Sequence, residues 1–259
     1  MNTINTLLEK IENSKTLDFG DIFSRSIELF KKVWVQGLVM LLLMMVILVP
    51  FYLMMYLPLI GIGFIEADSY QYGLDSIQNN TEFSPLLMIP FFIFIFIFSI
   101  VAMVLSFGMK ASFYRICKLK DLGEAGSDDY FFYLKKPYLG KVITLSIMTF
   151  GISILAMLLC VLPLIYVMVP ITLINVIFAF NPDLSASEII KAGFKLGNKK
   201  WFITFGLIIV SSVLAELVGV LMCFIGLFVT ASFVYLPAYY VYKDSVGFEK
   251  SVDIENSQD

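Results

Sequence analysis

The chain has 259 residues, of which 59% are hydrophobic and 15% charged, with a mean hydropathy of +0.87 and a formal net charge of −3. Soluble domains carry about 45–50% apolar and about 25% charged residues, so this composition argues against an ordinary soluble enzyme and for a bilayer as the solvent. The sequence contains no histidine, which removes His-ligated metal sites, Ser/His and Cys/His nucleophilic pairs, and His acid–base chemistry.

Residues 1–16 are polar and lack the apolar core of a cleaved signal peptide. Ile4, Leu7, Leu8 and Ile11 are spaced for one or two amphipathic turns; the expectation is a mobile cytoplasmic tail. From residue 17 to 244 the chain reads as a single membrane domain. Its first element is an amphipathic elbow at 18–33, with Phe19, Ile22, Phe23, Ile27 and Phe30 at helical spacing. The elbow ends in Lys31 and Lys32, followed by Trp34 at the interface. The uncharged block 33–65 then supplies a first crossing at 34–57, with Pro50 and Pro58 kinking it or ending it near residue 50. An acidic outer loop at 66–84 follows. Its Glu66, Asp68, Asp75 and Glu82 have no cation-loop spacing.

The stretch PFFIFIFIFSI alternates Phe and Ile like a strand, but both members are apolar and the run continues for 27 uncharged residues, 83–109. A bilayer core of roughly 30 Å takes about 20 helical residues, and in lipid the backbone must satisfy itself. The second crossing is therefore a helix, placed at 86–112. Another elbow is expected at 128–138, carrying Lys135, Lys136 and Tyr138. The uncharged block 142–182 and the block 201–242, whose single charge is Glu216, are each about twice a crossing and should fold as hairpins. The first gives spans at 141–161 and 164–181 with its turn at Pro163. The second follows an elbow at 185–200 with Lys199 and Lys200, starts at Trp201, and gives spans at 201–219 and 221–242 with its turn at Gly219. Residues 245–259 form a second cytoplasmic tail. The fold class is all-α: six transmembrane helices as three hairpins, each preceded by a cytoplasmic amphipathic elbow.

Charge sorts with this scheme. Five Lys/Arg lie in 1–32, seven in 110–141, four in 183–200 and two in 243–259, which accounts for all 18; the outer connections hold none. By the positive-inside rule both termini are cytoplasmic, in an inner membrane. The elbows also echo one another. LDFGDIFSRSIELFKKVW (17–34) aligns without gaps to LSASEIIKAGFKLGNKKW (184–201), sharing Leu17/Leu184, Ile22/Ile189, Leu29/Leu196, Lys32/Lys199 and Trp34/Trp201. Ser185 and Glu188 have capping-box form, and Asp18 with Asp21 is a cruder version. YFFYLKKPYLGKV (130–142) is a looser third copy.

The LDFGDIFSRSIELFKKVW elbow, the SFGMKASFYRICKLKD stretch leaving the second span and the final FVTASFVYLPAYYVYKD together resemble the glycerophosphoryl diester phosphodiesterase membrane-domain family and the YciC-like bacterial membrane proteins. The resemblance covers most of 17–244. It implies a membrane region that often occurs without the soluble catalytic domain of the family title, and it supplies no catalytic residues to carry over.

Two polar residues stand out at depth in the predicted spans, Glu216 and Asn175. Glu216 is either a proton or cation site in a transport path or a carboxylate near the outer headgroups; its 15 residues after Trp201, a rise of about 22 Å, favour the latter. Asn175 is expected to make an interhelical hydrogen bond. No phosphate loop, CxxC or HExxH occurs, and neither a cofactor nor a metal is implied. The expected partners are membrane lipids, whose anionic headgroups suit the elbow lysines, and another membrane protein, but not nucleic acid. The expected function is non-enzymatic: a scaffold or accessory subunit for lipid handling, envelope assembly or a transport complex. The alternative is a small transporter or lipid-moving protein with a path between the hairpins.

Overall fold

The structure is a computed structural model that describes residues 3–71, 85–223 and 225–248. The described residues form helices and no strand. Five helices are long and apolar enough to cross a membrane, the architecture of a multi-pass membrane protein. Their outward faces stay greasy: Val46, Leu53, Phe92 and Leu158 are 69%, 62%, 63% and 79% exposed, a surface that only lipid or a partner tolerates.

The N-terminal segment is not a free tail. Helix α1 (Ile4–Glu12) is capped by Thr3, whose hydroxyl accepts from the Thr6 amide. Leu7 and Ile11, one turn apart, are fully buried. Their burial anchors α1 on a later helix, and Lys195 seals the contact with a 2.7 Å bond to Glu12.

Helix α2 (Phe19–Gln71) is 53 residues long, about 80 Å at 1.5 Å per residue. The predicted elbow, the first span and residues 66–71 of the predicted loop are thus one helix. It starts where Asp18 Oδ1 accepts the Asp21 amide at 2.7 Å. It contains no proline before Pro50, and the backbone stays helical through Pro50 and Pro58. Proline removes one helical hydrogen bond, whereas ending a helix in hydrocarbon orphans several. Residues 72–84 of the acidic loop lie outside the described residues. Helix α3 (Pro85–Leu122) likewise overruns its expected end and carries Lys110 to Lys120 beyond the apolar run.

The middle elbow is not an amphipathic helix. Residues 132–134 form one 3-10 turn, Lys135 is extended, and α4 (Lys136–Leu159) begins with Pro137 in its first turn. Proline suits the first turn of a helix, where its missing N–H has no intrahelical partner to lose. The α4–α5 turn sits at Cys160 (φ 137°, ψ 176°), and Pro163 opens α5 (Val161–Phe180) instead of making the turn. Helix α6 (Ala186–Lys199) has the full capping box: the Glu188 amide donates to Ser185 Oγ and the Ser185 amide to Glu188 Oε2. It is not held by headgroups alone. Gly193 and Gly197 bring it onto α5 at Ile174 and Pro170.

Helix α7 (Trp201–Leu221) runs past Gly219. That glycine makes no turn; a Cβ there would sit 2.8 Å from Leu227 Cα, so its role is to let the next helix approach. The predicted last span comes in three pieces: α8 (Ile225–Thr230), a 3-10 stretch at 231–235 and α9 (Leu236–Ser245). Pro237 has no N–H for the Phe233 carbonyl, which takes the Leu236 amide in a tighter turn instead.

Candidate functional site

The basic segments meet at one end of the bundle. Asp121, the only acid among four cations at 110–122, accepts from Tyr239 (2.7 Å), Tyr240 (3.1 Å) and Lys243 (2.6 Å), tying α3 to α9. Arg25 of α2 forks onto Asp244 and lies 4.7 Å over the Tyr240 ring. Lys120 pairs with Asp128 at 3.1 Å, and Lys118 with Glu124 at 3.6 Å. This knot is not among the sites expected from the sequence. Its signal is the lone acid in KLKDL and the tyrosines before KD in YYVYKD.

The predicted anchors are mostly engaged by protein. Lys199 donates to the Glu12 carbonyl, Lys200 to the Ser14 and Lys15 carbonyls, and Trp201 Nε1 to the Tyr166 carbonyl at 3.0 Å. Burial lowers the pKa of the Lys200 ammonium. Lys31 pairs with Glu28 and Lys135 with Asp129, whose pKa is lowered by the Lys135 hydrogen bond. Lys32, Trp34 and Lys136 are exposed, and Tyr138 stacks with Phe132.

Asn175 and Glu216 are not brought together. Asn175 donates to the Phe107 carbonyl at 2.9 Å, the interhelical bond between α5 and α3. Its Oδ1 is buried without a partner. It lines a cleft with Met103, Ser106, Lys110, Thr172 and Tyr235. Glu216 is exposed and lines a different cleft with Ser212, Leu227, Thr230 and Val234. Among the described residues none belongs to both. Among the described residues no group of His, Cys, Asp or Glu is arranged to hold a metal. The three cysteines are free, Cys117 buried and Cys160 and Cys223 exposed.

Compared with family models, curated proteins and solved structures, the chain matches none of them.

Proposed function

We propose that the protein is a six-span inner-membrane protein with both termini cytoplasmic, acting without catalysis as an accessory or scaffold in lipid handling. The observation that carries this reading is the separation of Asn175 and Glu216 into two clefts that share no residue. A transport path needs its polar groups on one route through the membrane. The broad apolar exterior supports lipid or protein contact instead. The gathering of the basic segments around Asp121 and Asp244 supports a single cytoplasmic face. The resemblance to the membrane-domain family fits the same role.

The repeat belongs to this proposal. Cys160 stands 22 residues after Tyr138 and Cys223 stands 22 after Trp201. Both have positive φ, 137° and 55°, so two units turn at one position. The α8 to α9 segment then serves as the sixth crossing, broken at residues 231–235.

Gentle extraction followed by native mass spectrometry tests the role. A stoichiometric protein partner is the expected result. A lone chain that moves lipid between leaflets of a vesicle, and loses that activity on Glu216→Ala, would replace it with the transporter alternative.

A further inference from the structure

Two clefts adjoin along one face of α3. The first, about 220 Å³, is lined by Lys110, Ser106, Thr172, Asn175 and Tyr235. The second, about 190 Å³, is lined by Phe96, Ser99, Ile100 and Phe150. Met103 lines both. Phe96, Ile100, Met103, Phe107 and Lys110 recur every three or four residues, so they stack on one side of the helix. From Lys110 to Phe96 is a rise of about 21 Å, more than the depth of one leaflet of a core roughly 30 Å thick. One end of this groove is cationic and polar, and the other is hydrocarbon.

Among the described residues, the polar end holds an unpaired cation beside a buried amide. Lys110 is half-buried. Its ammonium lies 5.3 Å from the Tyr235 ring centroid but has no ion pair among the described residues, whereas Lys118 and Lys120 on the same helix each have a carboxylate. Asn175 is 7% exposed. Its amide nitrogen is fixed by the Phe107 carbonyl, which leaves Oδ1 as an acceptor without a donor. Among the described residues no Asp or Glu lines either cleft, so a headgroup bringing its own cation would find no carboxylate there.

We infer that this groove binds one anionic phospholipid. Its phosphate pairs with Lys110, and an acyl chain lies over Met103, Ile100 and Phe96. The assignment rests on the lipid-handling role proposed above and names the lipid and its seat. A soluble anion has no use for the apolar half, where Phe96 is 62% exposed.

The test is native mass spectrometry of the full chain in detergent, titrated with phosphatidylglycerol or phosphatidylcholine. One phosphatidylglycerol should be retained about tenfold more tightly than phosphatidylcholine, or about 1.4 kcal/mol. Lys110→Gln should erase most of that preference. Lys191→Gln, which removes the same charge from an exposed position on α6, should leave it intact. Met103→Trp, which fills the groove without touching a charge, should weaken retention of both lipids. Should that variant misfold, the two lysine variants still decide the matter. Equal retention of the two lipids, equal behaviour of the two lysine variants, or displacement by millimolar glycerol 3-phosphate would overturn the assignment. Absence of a protein partner after extraction would sink the accessory role and leave this titration unaffected.

Discussion

Gly197 of α6 faces Pro170 of α5 so closely that a Cβ built on it lies 2.8 Å from the ring Cγ, 3.0 Å from Cα and 3.1 Å from N. None of these atoms can rotate away, so Gly197→Ala must push the two helices apart. Overpacking of this kind costs about 1–3 kcal/mol. Alanine is also a better helix former than glycine by about 0.8–1.0 kcal/mol, and that gain must be separated out. Gly140 in α4 supplies the control, because a Cβ there meets nothing within 4 Å. Gly140→Ala should therefore stabilise, and Gly197→Ala should fall below it by the overpacking term of about 1–3 kcal/mol. Gly193→Ala should fall between them. Its nearest obstacle is Ile174 Cγ1 at 2.3 Å, which can change rotamer, while the backbone stands off at 3.3 Å. The assay is reversible unfolding in mixed micelles followed by circular dichroism. If Gly197→Ala and Gly140→Ala shift stability equally, α6 does not pack on α5 as described and the close contact is wrong.

Asp121→Ala leaves Tyr239, Tyr240 and Lys243 without their shared acceptor and should cost about 2–3 kcal/mol, measured in the same unfolding assay. Glu28→Gln, which breaks an exposed pair with Lys31, should cost under about 1 kcal/mol. Asp129 has a lowered folded pKa because it accepts from Lys135. Its contribution is therefore fully present above the usual carboxylate value of about 3.9 and is lost as pH falls through the lower folded value; the stability gap between wild type and Asp129→Asn, followed from pH 7 to pH 2, should close at the acid end. Native Cys160 and Cys223 should react with a membrane-impermeant thiol reagent outside intact cells. Cysteines placed at positions 120 and 195 in a background lacking those two should stay unlabelled, and labelling there would end the six-span, one-sided topology. Cys160→Gly should raise stability by about 1 kcal/mol, since φ 137° with ψ 176° is a region that costs residues other than glycine roughly 1–3 kcal/mol.

The long apolar helices were legible in the sequence, the middle elbow was not, and the joints were only partly so. Uncharged runs announce crossings because no water reaches the bilayer core, and the stripe in 186–196 announces a helix with one apolar face. Ser185 and Glu188 mark its start through a bond pattern contained within four residues. Joints depend on neighbours instead. Phe19 to Trp34 carries the same elbow pattern as α6, yet it runs straight on into the apolar run within α2, whereas Lys200 is a break between α6 and α7. Nothing in the shared Lys–Trp signature distinguishes the two outcomes. The difference lies in what each helix packs against: α6 has Gly193 and Gly197 to seat it on α5, and residues 19–33 have no such pair. The polar site residues divide in the same way. Asn175 advertises itself as a lone amide in an apolar run, but the Lys110 end of its cleft reads as the ordinary basic flank of a span.

The broken segment at 225–245 explains why an apolar helix is the hardest place to read a kink. Periodicity is informative only when one face differs from the other, and a lipid-bathed span has no polar face to shift. The usable signals there are chemical: Thr230 and Ser232 offer hydroxyls, and Pro237 withholds an amide. Thr230 Oγ1 bonds the Ala215 carbonyl at 2.7 Å, and Ser232 packs so closely on Gly37 that any side chain there would collide with its hydroxyl. These two contacts fix the segment between α7 and α2, and the tightened turn at 231–235 then hands the chain to α9. Tyr235 emerges at the Lys110 cleft, and Tyr239, Tyr240 and Lys243 reach Asp121. The break thus links the Lys110 cleft to the basic knot, so Pro237→Ala should both lower stability in the unfolding assay and change phosphatidylglycerol retention, and a change in only one of the two would refute the link.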